Sequence, residues 1–294
     1  MDLFILSFAL INELLLGGIY GGVALGLSLI FGVLRVVNFA HGSFLMLSLY
    51  LAYWCWRIFG LDPYLSVVVT VPAMFLMGYG VQSIIISPLI RRESALVVEP
   101  LSALLLTAGV FLALDNLALM AFGPDVRAVQ PSYMMPTLFV GGVPVDTPRL
   151  IAALAAIAVA VALSLWLRRS DMGRAIRATA QNRDAAALSA INVPQIYAIT
   201  FGIGCAILGL FGSLISTFVP ISPSIGIAFG IKSFIVVVLG GLGSIGGAIV
   251  GGLVLGVFEA VASQFVTATS ASIGSLALFI LILIFRPQGI MGRA

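Results

Sequence analysis

Long apolar segments make up most of the chain, and polar residues collect in a few places between them. A helix needs about 20 mainly apolar residues to cross the hydrocarbon core of a bilayer, because each residue advances it by about 1.5 Å. Segments of this kind lie at residues 14–34, 43–59, 64–86, 101–121, 150–167 and 196–219. A glycine-rich apolar run follows at 231–265, and a last helix is predicted at 272–285. The pattern predicts an all-α polytopic membrane protein with a single transmembrane domain over residues 1–294.

The glycine-rich run does not fit one membrane helix. Its first part, "IKSFIVVVL" at residues 231–239, supplies about 14 Å of helix, roughly half of the hydrocarbon thickness. We expect a half-helix that enters the membrane, turns at "GGLGSIGG" (240–247) and returns over residues 248–265. Broken helices occur in membranes where the freed backbone groups are buried in protein or line a cavity. The chain is therefore predicted to form about eight transmembrane helices plus a re-entrant half-helix, with a translocation pathway beside the turn.

A second polar interruption, "RVVNFAHGSFLML" at residues 35–47, lies between the first two apolar segments. Asn38 and Gly42 suit a backbone that leaves the helix, because an amide side chain can satisfy free backbone groups and glycine bends easily. His41 is the one histidine of the chain. It is interpreted as a hydrogen-bonding structural residue, while contact with a solute or proton transfer remains an alternative.

The distribution of arginines predicts how the chain is oriented in the membrane. Hydrophobic residues form 61% of the sequence and charged residues 9%, against about 45–50% and 25% in soluble domains. Arginines concentrate at residues 168–195, which predicts a cytoplasmic loop, since short cytoplasmic loops carry the excess positive charge. Arg91 with Arg92, and Arg286 with Arg293, predict further cytoplasmic positions, so that the N-terminus lies outside and the C-terminus inside. No basic stretch is dense enough to indicate nucleic-acid binding.

Two loops stand out from the membrane segments. Residues 122–148 contain five prolines and predict an extracytoplasmic loop that forms a small subdomain or docking surface. In the cytoplasmic loop, Ser170 or Asp171 can cap a helix with two faces. One face carries Arg174, Arg177, Gln181 and Asp184, and the other carries Met172, Ile176, Thr179 and Leu188. This order favours a helix that docks onto a soluble cytoplasmic protein.

Ionisable residues within the apolar segments are few. Asp115 and Glu259 are functional candidates, because a charge at a helix centre costs about 2.5–3.5 kcal/mol on insertion scales. They leave open a stand-alone ion-coupled secondary transporter or channel. Lys232 is expected to reach the outer surface or to pair near the half-helix entrance. The sequence contains no recognisable metal cluster or catalytic arrangement, and an intramembrane enzyme that uses His41 would lack partner residues.

Four ordered motifs together resemble the permease family of branched-chain amino acid ABC importers. They are "VNFAHGSFLML", "GRAIRATAQNRDAAALSAINV", "FGIKSFIVVVLGGLGSIGGAIVGGLVLG" and "RPQGIMGR", and the resemblance extends over residues 16–293. It implies the ABC importer permease fold and a subunit without ATPase activity. The implied partners are a second homologous permease, two cytoplasmic ATPases, an extracytoplasmic substrate-binding protein and membrane lipid. ATP and Mg would be bound by the ATPases, with no cofactor in this chain.

The resemblance also assigns residues to roles. The positions that match the family's ATPase-coupling loop are Gly173, Arg174, Arg177, Asp184, Ala186 and Leu188. The positions that match the two motifs flanking the translocation pathway are Asn38, His41, Gly42, Gly240, Gly241, Gly243 and Ser244. Family members usually read Gly-Ile-Asn after the coupling helix, whereas this chain has Ala190. The departure bears on the turn geometry, because Ala adopts a left-handed conformation less readily than Gly.

The function implied is one half of the pore of an ATP-driven importer in the bacterial inner membrane. ATP binding to the partner subunits would move residues 174–188 and thereby open or close the path by alternating access. Branched-chain or hydrophobic amino acids are the family's usual solutes, and urea, short amides and aromatic carboxylates are alternatives. The residues do not decide among these solutes.

Overall fold

The computed structural model describes residues 3–88, 99–131, 136–140, 142–286 and 288–292. Six of the helices in these residues are long and apolar enough to cross a membrane, and two shorter apolar helices accompany them. The predicted all-α polytopic fold is confirmed. Arg91, Arg92 and Arg293 lie outside the described residues.

The helices follow the apolar segments closely. The first five are α1 (Leu3–Leu34), α2 (His41–Phe59), α3 (Val67–Gly80), α4 (Glu99–Phe122) and α5 (Thr147–Arg169). Helix α3 continues into a π-helical segment, Val81–Ile86. Two short helices come next, α6 (Asp171–Gln181) and α7 (Arg183–Leu188). The last four are α8 (Val193–Ile215), α9 (Ile225–Gly240), α10 (Ile245–Ala262) and α11 (Ala268–Phe285).

Helix α1 lies at the centre of the bundle. Its glycines meet neighbouring backbones directly: a Cβ atom on Gly17 would overlap the Gly252 carbonyl of α10, and one on Gly26 would lie 2.5 Å from the Gly204 carbonyl of α8. On a third side, a Cβ atom on Gly22 would lie 2.8 Å from the methyl group of Ala156 in α5. Small residues allow such approach, and close packing drives helix association where lipid is as apolar as the side chains.

The bundle has two distinct ends. The arginine-rich end carries residues 168–192 and the end of α1, where the Arg35 guanidinium donates a hydrogen bond to the Ala180 carbonyl (3.2 Å). The hairpin end carries β1 (Leu138–Val140) and β2 (Val143–Val145), an antiparallel pair within the predicted 122–148 loop. There Arg127 forms a two-bond bridge to Ile221 (2.8 and 2.7 Å), which ties this loop to the chain after α8.

The glycine-rich run forms a helical hairpin whose first arm is longer than expected. Helix α9 has 16 residues instead of the predicted nine, a length of about 24 Å. The prediction started this helix at Ile231 and therefore left out Gly226 and Gly230. Both glycines pack against Gly42 of α2, so their lack of side chains favours the longer α9 helix. The turn is compact, with Gly241 at φ 106° and Gly243 at φ 81°.

The chain after α11 closes this turn. The Ile290 amide donates to the Leu239 carbonyl (2.8 Å), and the Met291 amide donates to the Gly240 carbonyl (2.9 Å). Ser244 caps α10 by accepting the Gly247 amide (3.0 Å). Backbone groups at the turn are thus satisfied by partners within the protein, as an irregular segment in a membrane requires.

Gly252→Leu is expected to disrupt the bundle, because its side chain would meet the Gly17 carbonyl and the Gly21 backbone of α1. Overpacking against backbone should lower the unfolding free energy by about 3 kcal/mol. Thermal unfolding of the detergent-purified chain measures this. Gly109→Leu is the matched control, because a Cβ atom at Gly109 meets nothing within 4 Å. Equal unfolding midpoints for the two variants would contradict the packing account.

Candidate functional site

The first polar interruption folds back along α1. Helix α1 ends at Leu34, yet His41, the first residue of α2, lies beside Val23, with its Nε2 atom 3.1 Å from the Val23 carbonyl oxygen. Val23 precedes Leu34 by about three helical turns, or roughly 16 Å. Residues 36–40 therefore return toward the interior of the bundle, and α2 starts there.

His41 joins α2 to α1. Its side chain is buried, and the Nε2 atom donates to the Val23 carbonyl. Gly26 leaves room for the ring, since a Cβ atom there would lie 3.3 Å from the His41 Cε1 atom. The imidazole thus supplies a hydrogen bond where α2 meets α1, while its Nδ1 atom is buried without a hydrogen-bond partner in the described structure.

Two cavities meet at Asn38. The first, here the arginine-end cavity, has a volume of 500 Å³ and extends from the end of α1 to residues 179–184. The second, here the apolar cavity, has a volume of 520 Å³ and is lined largely by α4, α9 and α11, with His41 in its wall. Asn38 lines both. Its Oδ1 atom accepts the Ala40 amide (3.1 Å), while its Nδ2 atom is buried without a hydrogen-bond partner in the described structure.

The glycine turn does not line either cavity. Gly243 instead packs against Gly32 near the end of α1, and the Ser244 carbonyl accepts a hydrogen bond from the Ser28 hydroxyl (3.1 Å). Gly240 and Gly241 pack against α10 and the C-terminal segment. The structure therefore brings Asn38, His41 and Gly42 together but places Gly240, Gly241, Gly243 and Ser244 elsewhere.

Two glycines of α9, and not the glycines of the turn, lie beside the first polar interruption. Gly226 and Gly230 both line the apolar cavity beside His41, and a Cβ atom on Gly42 would overlap the Gly226 carbonyl. Their spacing of four residues is the small-xxx-small pattern of close helix contacts. That pattern is visible in the sequence and could have identified them.

The predicted docking helix consists of two helices. Ser170 caps α6 as expected, because its hydroxyl accepts the Gly173 amide (2.9 Å). The prediction of one continuous helix to Leu188 was wrong. The Asn182 side chain accepts the amides of Asp184 and Ala185 (both 3.0 Å) and so caps the start of α7. Asn competes for backbone groups in this way and therefore favours helix starts over helix interiors.

The two faces of this segment also differ from the prediction. Ile176 and Thr179 are buried as expected, but Met172 is exposed and Leu188 is 91% exposed. The exposed members of the proposed coupling set are Arg174, Arg177, Asp184 and Leu188, and the buried members are Gly173 and Ala186. Gly173 is required for a close contact, because a Cβ atom there would overlap the Leu167 carbonyl at the end of α5.

Both candidate intramembrane carboxylates have hydrogen-bond partners, and one of them forms an ion pair. The Lys232 ammonium on α9 donates to Glu259 Oε2 of α10 and to the Tyr20 hydroxyl of α1, each at 3.0 Å. The Ser43 hydroxyl of α2 donates to the Asp115 carboxylate of α4 at 2.5 Å. Each of the two carboxylates therefore has at least one oxygen that accepts a hydrogen bond. Within the described residues no three His, Cys, Asp or Glu side chains form a group that could hold a metal ion.

Neutralising one partner of the Lys232–Glu259 pair is expected to destabilise the bundle more than neutralising both. Lys232→Met or Glu259→Met alone leaves a charge whose side chain is 19% exposed or less, which should lower the unfolding free energy by about 3 kcal/mol. The double variant should lie within about 1 kcal/mol of the parent. Thermal unfolding in detergent provides the measurement, with Arg174→Met as the exposed-charge control. Additive losses in the double variant would show that the two charges are not coupled.

Ala190 ends α7 in a left-handed conformation, at φ 59°. The Ile191 amide donates to the Ala186 carbonyl and the Ala190 amide to the Ala187 carbonyl, both at 3.1 Å. This pair of bonds is the Schellman motif, whose left-handed position favours glycine. Ala190 therefore keeps the turn geometry at an energetic cost of about 1 kcal/mol.

Ala190→Gly is expected to remove that cost and to slow amide exchange over residues 183–191 about fivefold, which corresponds to about 1 kcal/mol. Ala187→Gly, in the last turn of α7, is the matched control and should speed exchange, because glycine weakens a helix. Hydrogen exchange followed by mass spectrometry measures both. Faster exchange in Ala190→Gly would contradict the strain at this position.

Known proteins resemble this chain over almost its full length. LivH, a high-affinity branched-chain amino acid transport system permease protein of Salmonella typhimurium, is 31% identical over 96% of this chain and 94% of its own. BraD of Pseudomonas aeruginosa, described in the same words, is 32% identical over 97% and 95%. A probable LivH permease of Methanocaldococcus jannaschii is 27% identical over 92% and 87%. No solved structure gives a significant match.

The family model described as "Branched-chain amino acid transport system / permease component" matches residues 9–285. This range includes both polar interruptions, the segment with α6 and α7, and the membrane helices from α1 to α11. The chain is therefore a multi-pass membrane protein that belongs to the family of branched-chain amino acid transport permeases.

Proposed function

We propose that this chain is the permease subunit of an ATP-binding-cassette importer and forms half of its translocation pore. The observation that carries the proposal is the segment of α6 and α7, which exposes Arg174, Arg177 and Leu188 at one end of the bundle. An exposed leucine between charged residues suits a protein contact, since interfaces combine apolar centres with polar rims. The relatives' description as transport permeases supports the same function.

The segment formed by α6 and α7, here called the coupling segment, is connected to the bundle at three points. Gly173 packs closely on the end of α5, and Ile176 is buried. Arg35, at the end of α1, donates a hydrogen bond to the Ala180 carbonyl of α6. A displacement of α6 by a partner ATPase would therefore move the end of α1 and the interruption that follows it. Alternating access would use this connection to open and close the path.

The proposal includes an orientation and a set of partners. The arginine-rich end would face the cytoplasm, with the N-terminus outside and the C-terminus inside the bacterial inner membrane. Two ATPases would bind there and hold the ATP and Mg, so that this chain needs no cofactor. A second homologous permease would complete the pore within the lipid. The hairpin end, where Phe139 is exposed, would meet the extracytoplasmic substrate-binding protein.

The solute proposed is a branched-chain or other hydrophobic amino acid. The apolar cavity at the interruption is bounded largely by apolar side chains, and the relatives transport branched-chain amino acids by description. Ion-driven transport is less well supported, because Ser43 and Lys232 engage the two intramembrane carboxylates that it would need.

Reversing the charges of the coupling segment tests this proposal. Arg174→Glu combined with Arg177→Glu, both exposed on α6, is expected to reduce ATP hydrolysis linked to transport to about a tenth or less. The two carboxylates would repel a surface that complements arginine. Co-purification of the ATPases and hydrolysis by the assembled complex are the measurements.

Arg57→Glu is the matched control, because Arg57 is exposed in the last turn of α2, at the hairpin end. It should leave both measurements unchanged. Unchanged co-purification and unchanged hydrolysis in the arginine double variant would overturn the coupling role.

A further inference from the structure

The arginine-end cavity combines apolar walls with buried polar side chains. Ile30, Ile86 and Phe201 are among its apolar residues, and all three are buried. Asn38 and Gln82 also line it, at 3% and 0% exposure. Its volume of 500 Å³ lies within the range of about 300–1,000 Å³ that is usual for small-molecule sites.

The two amides each have an atom with no hydrogen-bond partner in the described structure. In Asn38 it is the Nδ2 donor, and in Gln82 it is the Oε1 acceptor. Buried polar atoms are nearly always paired, because an unpaired one loses its hydrogen bonds to water without replacement. Both atoms are covered by neighbouring groups in this structure, so each amide would turn toward the cavity to meet a solute with complementary groups.

Gln82 lies in a distinctive local structure. It is the second residue of the π-helical segment Val81–Ile86, and its Nε2 atom donates to the Ser87 hydroxyl (3.3 Å). Single π-helical turns are uncommon and frequently occur at functional sites. Gln82 lines the same cavity as Asn38 of the interruption.

We infer that the arginine-end cavity is a solute-binding site within a single chain, with Asn38 and Gln82 as its polar anchors; this rests on the proposed function. The solute class is an apolar amino acid. Its carboxylate would accept from the Asn38 amide, its ammonium group would donate to the Gln82 carbonyl, and its side chain would contact the apolar wall. Arg35, Arg183 and Asp184 also line the cavity, and their net positive charge would favour entry of the carboxylate end.

A solute bound at this site would also affect the position of the coupling segment. Residues 179–184, which join α6 to α7, form part of the cavity lining. A movement of these residues changes the space available to the solute, and by linkage a bound solute biases the position of the segment. Solute release and ATPase movement would therefore be coupled at one cavity.

Binding of tritiated L-leucine to the whole importer in nanodiscs, without the substrate-binding protein and without nucleotide, tests the inference. Saturable binding is expected, and Gln82→Leu and Asn38→Leu should each weaken it about tenfold, the effect of losing one buried hydrogen bond. Gln264→Leu is the matched control, because Gln264 is not part of the cavity lining. Absence of saturable binding in the parent complex, or unchanged binding in both cavity variants, would overturn the site.

A second measurement does not depend on how well these variants fold. Ala180→Cys adds a small thiol to the cavity lining, and the natural Cys55 and Cys205 are buried. L-leucine should slow labelling of this variant by a membrane-impermeant maleimide at least threefold, and unaltered labelling would contradict the site. ATP-driven uptake by the same preparation separates the two claims. If uptake occurs but L-leucine neither binds nor slows labelling, only the site is overturned. If uptake and binding are both lost, the proposed function is overturned as well.

Discussion

Helix α1 contacts its neighbours through its backbone, because glycines replace side chains along three of its sides. Gly17, Gly22 and Gly26 face α10, α5 and α8 at distances that leave no room for a larger residue. In a membrane the helices gain little from hiding apolar surface, so this close approach is the main source of attraction. The bundle can form only if these backbones meet in one register, and every irregular segment is positioned relative to them.

That register explains the location of the polar interruption. His41 reaches the Val23 carbonyl beside Gly26, and the chain between Leu34 and His41 must therefore return along α1. Arg35, directly after the same helix, donates a hydrogen bond to the Ala180 carbonyl of α6. One rigid element thus connects the exposed coupling segment to the place where two cavities meet at Asn38. Under the proposed function, a partner ATPase would act on the path through this connection.

The sequence predicted the elements that depend on apolar length. Helix α5 was expected at residues 150–167 and extends over Thr147–Arg169, because hydrophobic thickness sets the length of such helices. The prediction failed where tertiary contacts decide. Helix α9 begins as early as Ile225, where its glycines pack against Gly42. Helix α6 ends at Gln181, because the Asn182 side chain accepts backbone amides and starts the next helix.

The candidate site was predicted only in part. Asn38 and His41 were found as polar residues between apolar segments, but the fold-back that places them inside the bundle depends on a contact with α1. Gln82 gave no signal, since a single amide in an apolar segment does not reveal a π-helical turn. The pairing of Lys232 with Glu259 was expected only in outline, because the partner lies 27 residues away on another helix.

ATP-driven solute uptake tests the central claim most directly. The chain would be reconstituted in proteoliposomes with its second permease, the ATPases and the substrate-binding protein, and accumulation of tritiated L-leucine would be followed with and without ATP. The account predicts accumulation that requires ATP and the binding protein and persists when ionophores collapse the ion gradients. Accumulation that stops with the ionophores and continues without ATP would contradict it.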